Sequence, residues 1–242
     1  MNTQTSDLSH VTVAILAGGL GTRFRSVVKE KPKVLAQVKG HPFLEYILNQ
    51  LNSAHFKTVI LCTGYLSQHI EEKFGHKYKN LRLLYSVEQT PLGTAGSLRK
   101  ALPLFNSETI LAMNGDSFCD VDFEKFWQFH IHKKSTVSLV LSPVLDTSRF
   151  GKVILKDDNT VVGFNEKKEE NKAGLVSAGI YLMSKSFIEE IQQDTVASLE
   201  KDIFPKLVGS EFYGYESNND FIDIGTPESY AHAQQFFTRY PL

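Results

Sequence analysis

The sequence predicts an α/β protein: one mixed, mostly parallel β-sheet flanked by helices, with a β-rich extension in its second half. Three observations predict it. Apolar, β-branched runs alternate with helical patterns through the first half, the arrangement of a parallel sheet with right-handed crossovers. After Asp116 the texture changes to strand patterns with few helices between them. No repeat, low-complexity segment or Pro/Gly/Ser-rich linker divides the 242 residues, so one continuous domain over 1–242 is expected.

The elements follow in order. "VTVAIL", from Val11 to Leu16, is the apolar pattern of a fully buried strand. "HPFLEYILNQLNSA" places Phe43, Leu44, Ile47, Leu48 and Leu51 on one helical face, behind Pro42 at the helix start. "TVILCTG" reads as a second buried strand, "SQHIEEKF" as a short helix and "LRLLYS" as a third strand. "GTAGSLRKAL" is a helix opened by glycine, and "TILAM" a fourth strand. Beyond it, "DFEKFWQFHIH" is helical, with His130 and His132 expected on its surface. "STVSLVLSPV", "FGKVILKD", "TVVGFNEK" and "LVSAGIYLM" are strands. "ESYAHAQQFFTRY" closes the chain as a helix, with Tyr230, Ala233, Phe237 and Tyr240 at helical spacing. The charged patch "NEKKEENK" at 165–172 reads as a solvated turn after its first residues.

Composition narrows the function classes. A formal charge of −1 offers no basic surface for nucleic acid. No stretch approaches the ~18 apolar residues of a membrane span, and "MNTQTSDLSH" lacks the layout of a signal peptide. Cys62 and Cys119 are flanked by apolar residues, which suits buried free thiols better than a disulfide or metal site. The expectation is a soluble cytoplasmic protein with no membrane or nucleic-acid partner.

The chemistry gathers after the first strand, in "LAGGLGTRFRSVVKEKPKVL". Gly18, Gly19 and Gly21 sit at the carboxyl end of a buried strand, where ligands bind in open α/β sheets. Glycines there allow positive φ and let backbone amides approach an anion. Two phosphate loops are excluded. The dinucleotide fingerprint fails because Gly19-Leu20-Gly21 is followed by Thr22, Arg23 and Phe24, and no Walker sequence is present. A glycine turn followed by Thr22-Arg23 and Pro32-Lys33 still suits a polyphosphate, since a fixed guanidinium fork and a flexible ammonium flank the amides.

These residues resemble the signature of the sugar-1-phosphate nucleotidyltransferases. Five further blocks extend the resemblance over nearly the whole chain, in the family's order: "EQTPLGTAGSL", "MNGDSF", "FNEKK", "SAGIYLM" and "FIDIGTPESY". The family implies a Rossmann-like sheet with a nucleotide-binding part at about 10–120, a sugar-binding part at about 121–225 and a C-terminal helix at about 227–240. It implies that Arg23 and Lys33 are catalytic. Leu16, Ala17, Gly18, Gly19, Gly21, Thr22, Glu88, Pro91, Gly93 and Thr94 would bind the nucleotide. Asn114, Gly151, Glu166, Lys167 and Gly179 would bind the sugar phosphate, and Asp116 and Asp223 would hold Mg²⁺. The nearby Asp220 lacks the D-I-G-T context of Asp223. The partners implied are a nucleoside triphosphate and a sugar 1-phosphate, and homo-oligomer formation is left open.

No general base is needed, because a sugar-phosphate oxygen is already ionised at neutral pH. Alignment and charge neutralisation are what the site must supply. Glu88 precedes Gly93 by five positions, where thymidylyl and uridylyl relatives often carry a glutamine that reads the base edge. A carboxylate only accepts hydrogen bonds, so it suits guanine, which presents two donors. The loop "RFRSVVKEKPK" departs from the common R-L-x-P-L-T and resembles the branch of the family that guanylylates a heptose 1-phosphate. Mannose 1-phosphate with GTP, and N-acetylmuramate or hexose 1-phosphates with UTP, are the alternatives. Two other classes fit less well. A glycosyltransferase would carry an Asp-x-Asp, whereas Asp116 is followed by Ser117-Phe118, and a sensing paralogue would not retain Arg23, Lys33, Asp116, Lys167 and Asp223 together.

Overall fold

Strand β1 (Thr12–Leu16) shows how the sheet is buried on both faces. Val13 and Ile15 pack into one hydrophobic layer and Ala14 into the other, because successive strand side chains point to opposite sides. The computed structural model describes residues 7–19, 31–165 and 172–242, and every count here refers to those.

Beyond β1, a single 3-10 turn at Lys33–Leu35 leads into the small ladder of β2 (Gln37–Val38) and β3 (His41–Pro42). Helix α1 (Phe43–Ser53) then buries Phe43, Leu44, Ile47, Leu48 and Leu51, the face that the spacing predicts. The first half continues with β4 (Thr58–Thr63), α2 (Ser67–Phe74), β5 (Lys77–Tyr78), β6 (Leu81–Val87), α3 (Gly93–Ala101) and β7 (Thr109–Asn114). The strands run side by side as β7-β1-β4-β6, all parallel. Their carboxyl ends therefore share one edge, and β5 closes the far side antiparallel to β6.

The second half contains β8 (Ser117–Cys119), α4 (Phe123–Lys133), β9 (Val137–Val144), β10 (Lys152–Leu155), β11 (Val161–Asn165) and β12 (Gly174–Ser184). It ends with α5 (Lys185–Glu189), α6 (Phe204–Leu207), β13 (Phe212–Glu216), β14 (Phe221–Asp223) and α7 (Pro227–Phe236), which runs into a 3-10 turn at Phe237–Arg239. The β-rich extension is continuous with the parallel sheet through β12. That strand pairs antiparallel with β7 through Ile180–Ser184, with β10 through Leu175 and Val176, and with β9 over both stretches. A strand has two edges, and β9 occupies one of them, so β7 and β10 share the other. The handover between them falls at Gly179, where the register shifts and φ is +74°. No helix among the described residues is long and apolar enough to cross a membrane.

Cys62 and Cys119 are both buried and free, and burial pushes both thiols up, Cys119 to about 12. His132 is exposed, but His130 is not on the surface. It follows Phe123 and Phe126 on the stripe of α4 that faces the core, is 3% exposed, and its Nδ1 lies 2.9 Å from the Ser138 hydroxyl. Burial lowers its pKa from 6.5 to about 4. The unfolded chain thus takes a proton at a pH where the folded chain does not, and stability is lost as pH falls from about 6.5 towards 4. Urea denaturation at pH 7.5 and 4.5 should show His130→Gln losing about 3 kcal/mol less over that interval than the parent. Equal losses would remove His130 from the account.

Candidate active site

The carboxyl ends of β1, β6 and β7 open into one cavity of about 850 Å³. Leu16, Ala17, Gly18 and Gly19 form one wall, Glu88, Pro91, Gly93 and Thr94 the next, and Asn114, Asp116, Gly151 and Asp223 the side towards the extension. Of the fourteen sequence-predicted site residues that fall within the described chain, these twelve and Lys33 line it. Gly21, Thr22, Arg23, Glu166 and Lys167 lie outside the described residues.

The fourteenth, Gly179, does not face the cavity. It sits behind Asn114, where a Cβ would lie 2.7 Å from Asn114 Nδ2. The glycine provides the backbone twist and the room that let Asn114 occupy the wall. Asn114 Oδ1 is buried without a hydrogen-bond partner among the described residues, an acceptor waiting for a donor. The positive φ that glycine allows in the first glycine turn is not used at Gly18 or Gly19. A Cβ at Gly18 would make only ordinary van der Waals contacts, with Gly64 N at 3.4 Å and Glu88 Oε1 at 3.5 Å.

Two carboxylates are brought together by strand register. The short antiparallel pair β8–β14 sets Asp223 opposite Ser117, the neighbour of Asp116, and Ile224 N donates to Asp116 O at 2.9 Å. The local sequence of "DIGTPES" fits this position residue by residue. Gly225 N donates to Asp223 Oδ1 at 2.6 Å, and a Cβ on Gly225 would lie 2.5 Å from that oxygen. Thr226 then caps α7 in a capping box with Ser229, and Pro227 takes the first turn, where its missing N–H is not needed. Asp220 lies apart, paired with Arg239 at 2.5 Å and accepting from the Tyr240 hydroxyl at 2.8 Å.

Each of the two cavity aspartates faces a cation. Lys33 Nζ lies 2.6 Å from Asp116 Oδ2, with the lysine side chain 12% exposed and the aspartate 42%. Asp223, 13% exposed, is bridged by Arg149 Nη2 at 2.9 and 3.0 Å. Asp116 and Asp223 are two hard oxygen donors opening on one cavity, the kind of side chain that could hold a divalent cation together with phosphate oxygens; the described residues contain no group of three or more His, Cys, Asp or Glu side chains placed to hold a metal.

Glu88 is 6% exposed. Its Oε2 accepts from Leu92 N at 3.0 Å and its Oε1 from the Ser97 hydroxyl, so the carboxylate also ties its own loop to α3. Each oxygen retains a further lone pair.

Sequence reasoning missed several residues of the site. Arg149 stands two positions before Gly151, and its adjacency in "SRFGKV" was the only signal available. Glu200 sits in a π-helical turn at Leu199–Ile203. Its Oε1 accepts from Tyr181 at 3.0 Å, and its Oε2 from Thr94 at 3.0 Å and Ser198 at 2.9 Å. Tyr181, whose phenol burial holds well above its ordinary pKa, also accepts from Ser177 at 3.1 Å. This network joins the start of α3 to β12 beneath the cavity, and nothing local in "ASLEKDIF" announces it.

The nucleotidyl transferase family model matches residues 12–239. The chain is 39% identical over 227 residues to the D-glycero-alpha-D-manno-heptose 1-phosphate guanylyltransferase of Aneurinibacillus thermoaerophilus, covering 93% of this chain and 98% of that protein. It is 34% identical to the enzyme of the same name from Campylobacter jejuni, covering 90% and 96%. The crystal structure of HddC from Yersinia pseudotuberculosis complexed with GMP-PN superposes with a TM-score of 0.84 at 32% identity, covering 94% of this chain and 99% of that one.

Proposed function

The chain belongs to the nucleotidyl transferase family, and from that premise we propose that it transfers a guanylyl group from GTP to D-glycero-α-D-manno-heptose 1-phosphate, yielding GDP-heptose and pyrophosphate. One observation carries the reading: a single cavity joins the glycine-lined end of β1 to Lys33 and to the two carboxylates Asp116 and Asp223. The two heptose 1-phosphate relatives and the GMP-PN complex of HddC support the choice of sugar and base.

The reaction exchanges one phosphoanhydride bond for another. An ionised oxygen of the sugar phosphate attacks the α phosphorus of GTP, the new O–P bond forms opposite the bond to the β phosphate, and pyrophosphate leaves with that electron pair. Holding the two anions in line and countering their charge is the whole catalytic task. Lys33 would neutralise the α phosphate, and Arg23 would clamp the phosphates that leave. The amides of Gly18, Gly19, Gly21 and Thr22 would face the triphosphate, and Pro91, Gly93 and Thr94 would frame the nucleoside beside Leu16 and Ala17. Glu88 would accept from N1–H and the N2 amino group of guanine through its remaining lone pairs. Asn114, with its unpartnered buried Oδ1, would take a sugar hydroxyl, as would Glu166, while Gly151 gives the sugar close access to backbone and Lys167 meets its phosphate. Asp116 and Asp223 would hold Mg²⁺, whose contribution when bound is to screen phosphate charge.

The test is pyrophosphate release with GTP or UTP against heptose 1-phosphate or mannose 1-phosphate. GTP with the heptose phosphate is expected to exceed each other pairing by about ten-fold or more in kcat/KM, a difference of about 1.4 kcal/mol. Faster release with UTP would overturn the reading of Glu88, and faster release with mannose 1-phosphate would overturn the sugar.

A further inference from the structure

Resting on the guanylyltransferase reading, we propose that Arg149 is a further phosphate-binding residue of the acceptor side, in addition to Lys167, holding the phosphoryl group of the sugar 1-phosphate while it positions Asp223. The loop after β9 delivers Arg149 to the cavity wall, next to Phe150 and Gly151 and in the same cavity as the Lys33–Asp116 pair. Its contacts with Asp223 at 2.9 and 3.0 Å and with the Ser229 hydroxyl at 3.4 Å all use one nitrogen, Nη2. A guanidinium carries five N–H donors in a fixed fork. The Nε and Nη1 hydrogens make no contact with the described residues, and the side chain is 40% exposed where it lines the cavity.

A residue that served only to fix Asp223 would bind it fork to fork, with two nitrogens on two oxygens. Here a single nitrogen spans both oxygens, and Gly225 N already anchors Oδ1 at 2.6 Å. The remaining edge of the guanidinium matches the bidentate geometry of a phosphate. The Phe150 ring, 5.3 Å from the guanidinium carbon, limits the plane in which that edge can lie. The charge requirement points the same way. The acceptor brings a dianionic phosphate against a triphosphate, and Lys33 is paired with Asp116, so the acceptor's two charges call for a cation besides Lys167. Arg149 lines the same cavity.

The experiment compares the wild-type chain with Arg149→Gln and Arg149→Lys by calorimetric titration of inorganic phosphate, with GMP-PN filling the nucleotide subsite and again without it. KM values for heptose 1-phosphate and GTP are then measured separately. The proposal expects Arg149→Gln to weaken phosphate and raise the heptose 1-phosphate KM by about ten-fold or more, since a bidentate charge-assisted contact is lost. GMP-PN affinity and the GTP KM should stay within about two-fold, and Arg149→Lys should restore part of the phosphate binding as a point charge. Unchanged phosphate affinity in Arg149→Gln would overturn the proposal. So would an equal fall in phosphate and GMP-PN affinity, which is the signature of a purely structural role through Asp223. If the wild-type chain fails to turn over heptose 1-phosphate, the substrate reading falls by itself, and the phosphate titration still judges Arg149.

Discussion

Replacing Lys33 with methionine is expected to lower kcat by about 10²–10³, equivalent to ~3–4 kcal/mol of transition-state stabilisation, while leaving the protein folded. The two effects separate because of where the pair sits. Lys33 Nζ is 2.6 Å from Asp116, but the aspartate is 42% exposed and remains solvated when its partner goes. The ion pair therefore contributes less than about 1 kcal/mol to folding, and methionine preserves most of the lysine stem's packing beside Val34. In the reaction the same ammonium would act on charge that develops at the α phosphate, directly at the reacting centre. Rates at saturating GTP and sugar phosphate, measured with a thermal midpoint on the same preparation, decide the matter. A loss below ten-fold, or one that tracks a fall in Tm, would deny Lys33 a direct role.

The second large effect is on stability. Gly93→Ala is expected to cost roughly 3 kcal/mol, a fall in Tm of about 6–12 °C for a chain of this size. Gly93 opens α3 with φ +73°, and an added Cβ would lie 2.4 Å from Ala197 O and 2.8 Å from Ala197 C. Those are backbone atoms, and they cannot swing aside. Ala197 O accepts from Ala95 N at 2.9 Å, Ala197 N donates to Leu92 O at 2.9 Å, and Leu199 N donates to Thr94 Oγ1 at 2.7 Å. The segment around Ala197 thus serves the unpaired amides at the start of α3 and carries Ser198, Glu200 and Lys201 to the cavity. Pushing it away should lower activity together with stability. Gly19→Ala is the matched control, because a Cβ there meets nothing within 4 Å among the described residues and φ is not positive. Its Tm should move by no more than about 2 °C. Equal shifts in the two variants would mean that the Ala197 contact is not what requires glycine at position 93.

Much of this was legible beforehand. The helix over Ser67–Phe74 and the strand ending at Asn114 coincide with the patterns that predicted them. The glycine turn, "NGD" and "DIGT" each arrive at the cavity. In each case the signal is local: a run of apolar residues, a helix start, a turn glycine beside a carboxylate. Other features were illegible for an equally physical reason. His130 reads as a surface residue until β9 supplies Ser138 and buries it. Gly179 reads as a residue facing the ligand until β12 is seen to change partners there, with Asn114 in the wall instead. Arg149 and Glu200 carry no local mark at all, since their partners lie on other elements.

While the resemblance to the family picked out the aspartates, the sequence by itself determined the order and kind of the elements and the edge of the sheet where chemistry gathers. Those are short-range properties, set by backbone preference and by the alternation of apolar residues along a few turns or strand steps. Only the tertiary structure decided what faces those residues. Asp116 meets Lys33 across 83 positions, and Asp223 meets Arg149 across 74, because the β8–β14 register and the shared edge of β12 bring distant loops to one cavity. A partner's identity at such a separation is fixed by sheet pairing and loop closure, and no window of neighbouring residues contains it.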